Sequence, residues 1–242
     1  MLGLANGGLK ALNITKTVDF NTTDASVGGG AACQLWLKYN TDVTAAQWDD
    51  ASGNDRHAAQ SNSANQAAED DNGLLFTASN NDHYDLASNI VISESEAFFV
   101  FMVIDLDAAT NESLLGQSAG IFLTLTDNNT IKFKTGAGTD NVNVEGTPFA
   151  TGEKLILGFQ RDEGPEGRIH IYKNGVKLHV TNTALGTQQN IGAISIDTLG
   201  TRNNDQFFGG HMYEVLVYDT ANLSIGETKG IFNYLKTTHS IT

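Results

Sequence analysis

A strand–turn–strand pattern over residues 168–178 constrains the fold of this chain more than any other segment. Apolar and polar side chains alternate up to Tyr172, so that one face of the segment can be buried while the other meets water. Asn174 and Gly175 then supply two residues that tolerate a positive φ, which a two-residue type I′ turn requires. The pattern predicts an antiparallel hairpin and therefore a fold built on sheets.

The rest of the chain repeats short apolar runs separated by turn-forming residues. Many short strands with few helices are typical of an all-β, antiparallel two-sheet sandwich. The apolar run at 97–104 predicts a strand buried on both faces, whereas the polar residues 57–72 predict a surface loop. The predicted strands are 34–39, 73–77, 83–86, 97–106, 113–116, 120–126, 130–135, 154–161, 167–173, 176–180, 193–199 and 211–219.

One short C-terminal helix is predicted. Ser224 and Glu227 have the spacing of a capping box, which satisfies the free amides at a helix start. Ile231, Tyr234 and Leu235 then share one helical face. We therefore expect this helix to pack against the sandwich.

The two ends of the chain differ in composition. Residues 1–32 are rich in Gly, Thr and Asn, carry few large apolar side chains and close on a glycine run. This composition predicts an extended N-terminal arm over 1–32. The folded sandwich domain is then expected over 33–242.

The balance of charge narrows the possible partners. The chain has 14 basic and 28 acidic residues, a formal net charge of −14, which argues against a nucleic-acid groove because such sites cluster Lys and Arg. No apolar run approaches the ~18 residues that a bilayer span needs, so no membrane partner is expected. The single cysteine, Cys33, excludes an intrachain disulfide.

Five segments, taken in order, resemble the concanavalin A-like jelly rolls of the laminin-G-like type. Residues 48–57 resemble the early D-x-SGN-x-x-H loop of that family, and 169–175 resemble its lYvNG hairpin. Residues 74–86 and 98–103 resemble its second strand pair and its central strand, and 210–218 resemble its terminal strand. The fold serves glycan binding, adhesion, structural roles and some catalysis, so the resemblance leaves the function open.

The same resemblance implies a calcium site. In the family, Asp and Asn side chains of the early loop supply oxygens, joined by a carboxylate from the terminal strand. Tyr213 stands in place of that carboxylate here, and strand alternation predicts that the neighbouring Glu214 points to the opposite face. Oxygen-rich loops suit a hard cation, although the same side chains also bond turn amides. The candidate calcium ligands are Asp49, Asp50, Asn54 and Asp55.

A sugar-binding module needs aromatic rings at its surface, because flat rings stack on the faces of pyranose sugars. Trp48 lies beside the acidic loop, and Phe207 and Phe208 precede a pair of glycines. The same rings also serve to fill a core. Trp48, Phe207 and Phe208 are the candidate ligand-binding residues.

No active site is predicted. Residues 116–120 match the G-x-S-x-G pattern, but a strand-like alternation follows where the nucleophile elbow needs a helix. Glu94 and Glu96 share one face at a strand entry, without the hydrophobic–acid alternation of jelly-roll glycosidases. We therefore expect a protein that is not an enzyme.

The leader at residues 1–7, joined to this domain, resembles small virion proteins of marine tailed phages. The absence of a signal peptide and of disulfides fits assembly in a host cytoplasm. The resemblance implies a non-catalytic structural, decoration or fibre protein of a virion, which forms homo-oligomers and attaches to capsid or tail proteins through its arm. The alternative prediction is a calcium-assisted carbohydrate-binding module that contacts cell-surface glycans through residues 48–55.

Overall fold

The computed structural model describes residues 33–38, 40–70, 73–108, 110–117, 120–181, 188–202, 206–219 and 223–242. The predicted arm, residues 1–32, lies outside these ranges, and the boundary at residue 32 stays a prediction. Within them, the chain is almost entirely β-strand with one α-helix at its C-terminal end. The prediction of an all-β sandwich with one short helix is confirmed.

The strands and the helix follow one another along the described residues with short connections. They are β1 (Cys33–Leu37), β2 (Gln47–Trp48), β3 (Ala58–Ala59), β4 (Ala68–Asp70), β5 (Gly73–Phe76), β6 (Tyr84–Ile92), β7 (Phe98–Ile104), β8 (Glu112–Gly116), β9 (Phe122–Asp127), β10 (Thr130–Thr135), β11 (Gly138–Asn143), β12 (Leu155–Arg161), β13 (Arg168–Lys173), β14 (Val176–Lys177), β15 (Gln188–Gln189), β16 (Ile194–Leu199), β17 (Thr201–Arg202), β18 (Gln206–Phe207), β19 (Gly210–Tyr218) and α1 (Ile225–His239).

Two large sheets stack face to face. The first sheet has nine strands in the order β14-β13-β12-β7-β19-β5-β4, with β1 also pairing β19 and β15 also pairing β13. The second has eight strands in the order β11-β10-β9-β8-β16-β6-β3-β2, and β17 and β18 form a small separate ribbon. The strand pairs in the described residues are antiparallel. This arrangement leaves the first sheet with one face toward the interior and one outer face.

Strand β7 is buried on both faces, as its unbroken apolar run predicted. Phe98, Val100, Met102 and Ile104 point into the main core between the two sheets. The intervening residues Phe99, Phe101 and Val103 belong to a second core on the outer face of the nine-stranded sheet. Because side chains alternate along a strand, β7 can serve both cores at once.

Helix α1 covers part of that outer face. Ser224 accepts from the N–H of Glu227, and the Glu227 carboxylate accepts from the N–H of Ser224, which confirms the predicted capping box. Ile231, Phe232 and Leu235 are buried against the sheet. In the described part of the chain, no helix is long and apolar enough to cross a membrane.

The hairpin at 168–178 is confirmed. Asn174 and Gly175 have φ values of 50° and 80°, and Lys173 pairs with Val176 across the turn. The predicted surface loop at 57–72 needs correction, because strands β3 and β4 lie within it. Strand β11 was missed as well, since its polar residues are held in the sheet by pairing with β10 rather than by their own strand propensity.

A buried arginine ends strand β12. Arg161 is fully buried, and its guanidinium donates to the carbonyl oxygens of Glu96, Ser93 and Gly192. Burial lowers the pKa of Arg161 to about 10, partly offset by the charge of Glu96. The three carbonyls anchor two loops to the end of β12 and so hold Gln160 and Asp162, its neighbours in sequence, in place.

Candidate ligand-binding site

The loop at residues 48–57, called the Asp50 loop below, is closed upon itself. Both carboxylate oxygens of Asp50 accept hydrogen bonds. One oxygen accepts from the N–H of Trp36 and from the N–H of Ser52, both at 2.9 Å. The other accepts from the Ser52 hydroxyl at 2.8 Å and from the N–H of Arg56 at 3.0 Å. The Asp50 carboxylate therefore satisfies the donors of its own loop and of β1.

Two of the other candidate calcium ligands form hydrogen bonds in and around the Asp50 loop, and the third is exposed. The Asn54 amide donates to the carbonyl of Cys33 at 2.7 Å, which ties the loop to β1. Asp49 accepts from the Gln47 side chain, and Asp55 is exposed with a left-handed φ of 54°. Within the described residues, no group of three or more His, Cys, Asp or Glu side chains is placed to hold a metal ion. Calcium binding stays a prediction.

Two of the three candidate aromatic residues are core residues, which corrects the prediction. Trp48 is 0% exposed and donates its indole N–H to the Lys38 carbonyl, and Phe208 is also 0% exposed. Neither ring has a face open to a sugar. Phe207 is half-buried, with its ring centroid 5.8 Å from that of His83, and its predicted role in binding stays a prediction.

The predicted orientation of Glu214 is wrong, because β19 contains a bulge. The register of β19 against β7 shifts between Met212 and Glu214, and one extra residue in a strand reverses the alternation locally. Tyr213 and Glu214 consequently both lie on the helix side of the sheet. The fully buried Glu214 accepts from Trp36 Nε1, Tyr234 Oη and His239 Nε2 at 2.7, 2.9 and 2.8 Å, which fastens α1 to the sheet.

A surface cavity lies on the outer face of the nine-stranded sheet, beside the first half of α1. It encloses about 240 Å³. Its walls come from the end of β12, from the hairpin of β13 and β14, and from the first turns of α1. We call it the helix-edge pocket; the lining residues are Gln160, Asp162, His170, Tyr172, Gly175, Lys177, Leu223, Ile225, Thr228, Lys229 and Phe232.

The register between β12 and β13 and the glycine at position 158 together create this pocket. Antiparallel pairing sets Gln160 opposite His170 and Gly158 opposite Tyr172, so these residues share the outer face of the sheet. A Cβ at Gly158 would lie 2.8 Å from the Phe232 ring, so only glycine leaves room for Phe232 to dock. Phe232 of α1 therefore packs on Gly158, and the polar ends of β12 and β13 remain uncovered beside the helix.

A chain of side-chain hydrogen bonds runs along the pocket. Tyr172 Oη donates to Gln160 Oε1 at 2.8 Å, and Gln160 Nε2 donates to Asp162 Oδ1 at 3.4 Å. Asp162 Oδ2 lies 2.7 Å from His170 Nε2. Burial, and then the charge of Asp162, raise the pKa of Tyr172, so its hydroxyl keeps its proton at neutral pH. The chain links donors and acceptors that a polar ligand can also engage.

The floor and rim of the pocket are partly apolar. The rings of Tyr172 and Phe232 pack with centroids 5.6 Å apart. Ile225 on the rim is 78% exposed, and Val176 in the facing hairpin is 65% exposed. They are two of the three exposed large apolar side chains among the described residues, so the pocket joins apolar surface to hydrogen-bonding groups.

The described parts of the two motifs considered for catalysis lie in strands and turns. Ser118 of the G-x-S-x-G match lies outside the described residues, and the segment after it enters strand β9 rather than a helix. Glu94 and Glu96 are exposed in a turn, where the Glu96 carboxylate accepts from the N–H of Ser93 at 2.9 Å. Glu96 thus serves the turn between β6 and β7.

Sequence reasoning missed the helix-edge pocket. The relevant signal was the hairpin itself, since alternation already placed His170 and Tyr172 on one face of β13. The partners on β12 and α1 gave no comparable signal, because their approach depends on pairing between strands distant in sequence and on helix docking.

Comparison with known proteins identifies the fold. No family model and no curated protein sequence matches this chain. Domain 4 of AbnA, an extracellular GH43 arabinanase of Geobacillus stearothermophilus solved in complex with arabinotriose, superposes with a TM-score of 0.56 at 16% identity, over 82% of this chain and 97% of that domain. The binding domain of Paraclostridial Mosquitocidal Protein 1 superposes with a TM-score of 0.57 at 17% identity, over 84% of this chain and 52% of that chain.

An enzyme also contains a similar fold. Trypanosoma rangeli sialidase, in complex with 2,3-difluoro-KDN, superposes with a TM-score of 0.54 at 14% identity, over 86% of this chain but only 33% of the sialidase chain. At such low identities, the shared feature is the β-sandwich itself. Since one fold supports many functions, the function must be argued from the site.

Proposed function

We propose that this chain is a non-catalytic carbohydrate-binding module and that the helix-edge pocket is its binding site. One observation carries the proposal: a connected set of side-chain donors and acceptors borders an open cavity whose floor is aromatic. Sugars present hydroxyl groups on their edges and C–H groups on their faces, so a site for them combines hydrogen-bonding side chains with apolar rings.

Each part of the pocket has a role in this proposal. Asp162, with a side chain 41% exposed, accepts hydrogen bonds from sugar hydroxyls, and Gln160 donates and accepts beside it. Tyr172, Phe232 and Ile225 provide apolar surface for the C–H face of a ring. His170 holds the Asp162 carboxylate in place through the 2.7 Å contact.

The structural relatives support a binding role without assigning one. The arabinanase domain contains arabinotriose, and the mosquitocidal relative is described as a binding domain. This chain spans nearly all of the former, at 97% of its length. A domain of this size and fold is therefore known in complex with an oligosaccharide.

A glycan array followed by calorimetry tests the proposal. We expect binding of at least one oligosaccharide, weakened about tenfold by Asp162→Asn because a charged acceptor is lost. Asp85→Asn makes the same charge change at an exposed position of β6 on the other sheet, and we expect it to bind like the unsubstituted protein. Binding that survives Asp162→Asn unchanged would place the site elsewhere.

The calcium-assisted alternative is tested in the same titrations. If calcium assists through the Asp50 loop, a chelator and Asp50→Ala both abolish binding while Asp162→Asn does not. If the helix-edge pocket is the site, a chelator has no effect. The two outcomes separate the two sites on one module.

We also propose, as a second role, that the module is displayed on a virion. The observation favouring it is the leader at residues 1–7, which resembles small virion proteins of tailed phages. In this role the arm at 1–32 attaches the domain to capsid or tail proteins, and the copies form a homo-oligomer after assembly in the host cytoplasm. Mass spectrometry of purified particles tests it: the polypeptide is expected in the particles, and its absence would refute the role.

A further inference from the structure

The charge of the helix-edge pocket differs in sign from that of the whole chain. The chain carries a formal charge of −14, yet two lysines, Lys177 and Lys229, line the pocket against one carboxylate, Asp162. Both lysines are exposed, and neither forms an ion pair within the described residues. A positive site on an acidic protein favours an anionic ligand.

Three other described lysines, Lys38, Lys154 and Lys173, contact aromatic rings or form an ion pair. Lys173 lies 2.7 Å from the Glu153 carboxylate, and Lys154 and Lys38 lie over the rings of Tyr213 and Trp36, 3.5 and 4.8 Å from the ring centroids. Lys177 and Lys229 differ from these in having no such contact among the described residues. Their ammonium groups remain available to a ligand.

The two lysines enter the pocket from opposite walls. Lys177 belongs to β14 on the sheet side, and Lys229 lies in the second turn of α1. The first turn of this 15-residue helix also borders the pocket, and the positive end of the helix dipole adds to the attraction for a negative group. Glu227 in that turn has its carboxylate engaged by the N–H of Ser224.

We propose that the helix-edge pocket selects acidic sugars, with Lys177 and Lys229 contacting the carboxylate or sulfate of the bound residue. This inference rests on the proposed function and narrows it to a class of ligand. Asp162 disfavours a ligand that is only anionic, such as a free phosphate, because it needs hydroxyl donors. The ligand is therefore both hydroxylated and negatively charged, as a uronic acid or a sulfated sugar is.

Calorimetry with matched ligands tests the selectivity. The probes are an oligogalacturonate and its fully methyl-esterified form, in which each carboxylate is converted to a neutral ester, and a sulfated oligosaccharide with its desulfated form. We expect the charged member of at least one pair to bind about tenfold more tightly than the neutral member, with an advantage that shrinks at high salt. The pair that shows the advantage identifies carboxylate or sulfate as the recognised group.

Variants assign the effect to the two lysines. In Lys177→Gln/Lys229→Gln, the charged probe is expected to bind as weakly as the neutral one. Lys132→Gln, a half-buried lysine of β10 on the other sheet, makes the same type of change and is expected to keep the tenfold preference. Thermal melting of each variant checks that the fold is kept.

The outcomes separate this inference from the proposed function. If charged and neutral probes bind equally well and Asp162→Asn weakens both, the pocket binds sugars without selecting acidic ones, and only this inference fails. If the charged probe is preferred but the double variant keeps the preference, other cations are responsible and the assignment is wrong. If no probe and no glycan on the array binds, the proposed function and this inference fail together.

Discussion

The Asp50 loop and the helix-edge pocket are both polar clusters built around an aspartate, but their hydrogen bonds go to different partners. Asp50 accepts from three backbone N–H groups and one hydroxyl of its own loop and of β1. Asp162 is joined to the side chains of Gln160 and His170 beside a cavity. Backbone donors cannot leave without unfolding the loop, whereas half-exposed side chains can exchange partners with a ligand. This difference is the reason why we assign a structural role to Asp50 and propose a ligand-binding role for Asp162.

The largest expected effect is the loss of stability when the Asp50 carboxylate is removed. Asp50→Ala removes four hydrogen bonds and leaves the buried N–H of Trp36 and the partly buried N–H groups of Ser52 and Arg56 without acceptors. We therefore expect the free energy of unfolding to fall by about 3 kcal/mol. Urea denaturation measures it. Asp85→Ala, the same change at an exposed position of β6, is the control and should change the free energy of unfolding by less than about 0.5 kcal/mol. Equal effects of the two substitutions would contradict the structural role of Asp50.

A third carboxylate, that of Glu112, extends the comparison to the dependence of stability on pH. Glu112 is buried and accepts from the N–H of Gly209. Burial raises the pKa of Glu112 to about 7, the Gly209 bond lowers it in part, and the charge of Asp107 adds to the rise. Since the folded-state pKa lies above the unfolded value, the stabilisation is complete below the unfolded pKa and is lost as pH rises through about 7.

Glu112→Gln should therefore remove this pH dependence. We expect the substitution to stabilise the protein at pH 8 by on the order of 2 kcal/mol relative to its effect at pH 5, because the amide carries no charge to bury. Urea denaturation at both pH values measures the difference. The same substitution effect at pH 5 and at pH 8 would show that Glu112 titrates normally.

The next effect concerns how the pocket is built. Gly158→Ala places a Cβ 2.8 Å from the Phe232 ring, so the ring must shift, and we expect a loss of about 1 to 2 kcal/mol in unfolding free energy together with weaker glycan binding. Gly230→Ala, at a half-buried position of α1 with no atom within 4 Å of the added Cβ, should instead stabilise by up to about 1 kcal/mol. Opposite signs for the two substitutions support the docking of α1 on Gly158; equal signs contradict it.

The smallest expected effect is on the pocket's own hydrogen bonds. Tyr172→Phe removes the bond to Gln160, whose amide is open to water, and we expect a stability loss of only about 0.5 kcal/mol. Glycan affinity should change more than stability, because Gln160 loses the partner that orients it. Paired melting and calorimetry measure both quantities. A stability loss comparable to that of Asp50→Ala would erase the distinction between the two clusters.

The parts of the molecule that could be predicted from sequence are local. The Asn174–Gly175 turn and the Ser224–Glu227 capping box depend on residues within a few positions of one another, and both were found as predicted. The apolar run of β7 also identified a strand buried on both faces, although not the helix that covers its outer side.

The remaining features depend on contacts between distant residues. Strand β11 is polar and forms by pairing with β10, and the bulge that puts Tyr213 and Glu214 on one face appears only in the register with β7. The helix-edge pocket combines β12, the β13–β14 hairpin and α1, so its residues are not close in sequence. Trp48 was proposed for binding because it adjoins an acidic loop, yet burial in the core decides its role.

The most direct test of the account is an amide chemical-shift titration of the isotope-labelled protein with a glycan that binds on the array. The account predicts that the shifted amides cluster at residues 160–162, 170–172, 175–177 and 225–232, around the helix-edge pocket, with the Asp50 loop unchanged. Shifts confined to residues 48–57, with the pocket unchanged, would contradict it.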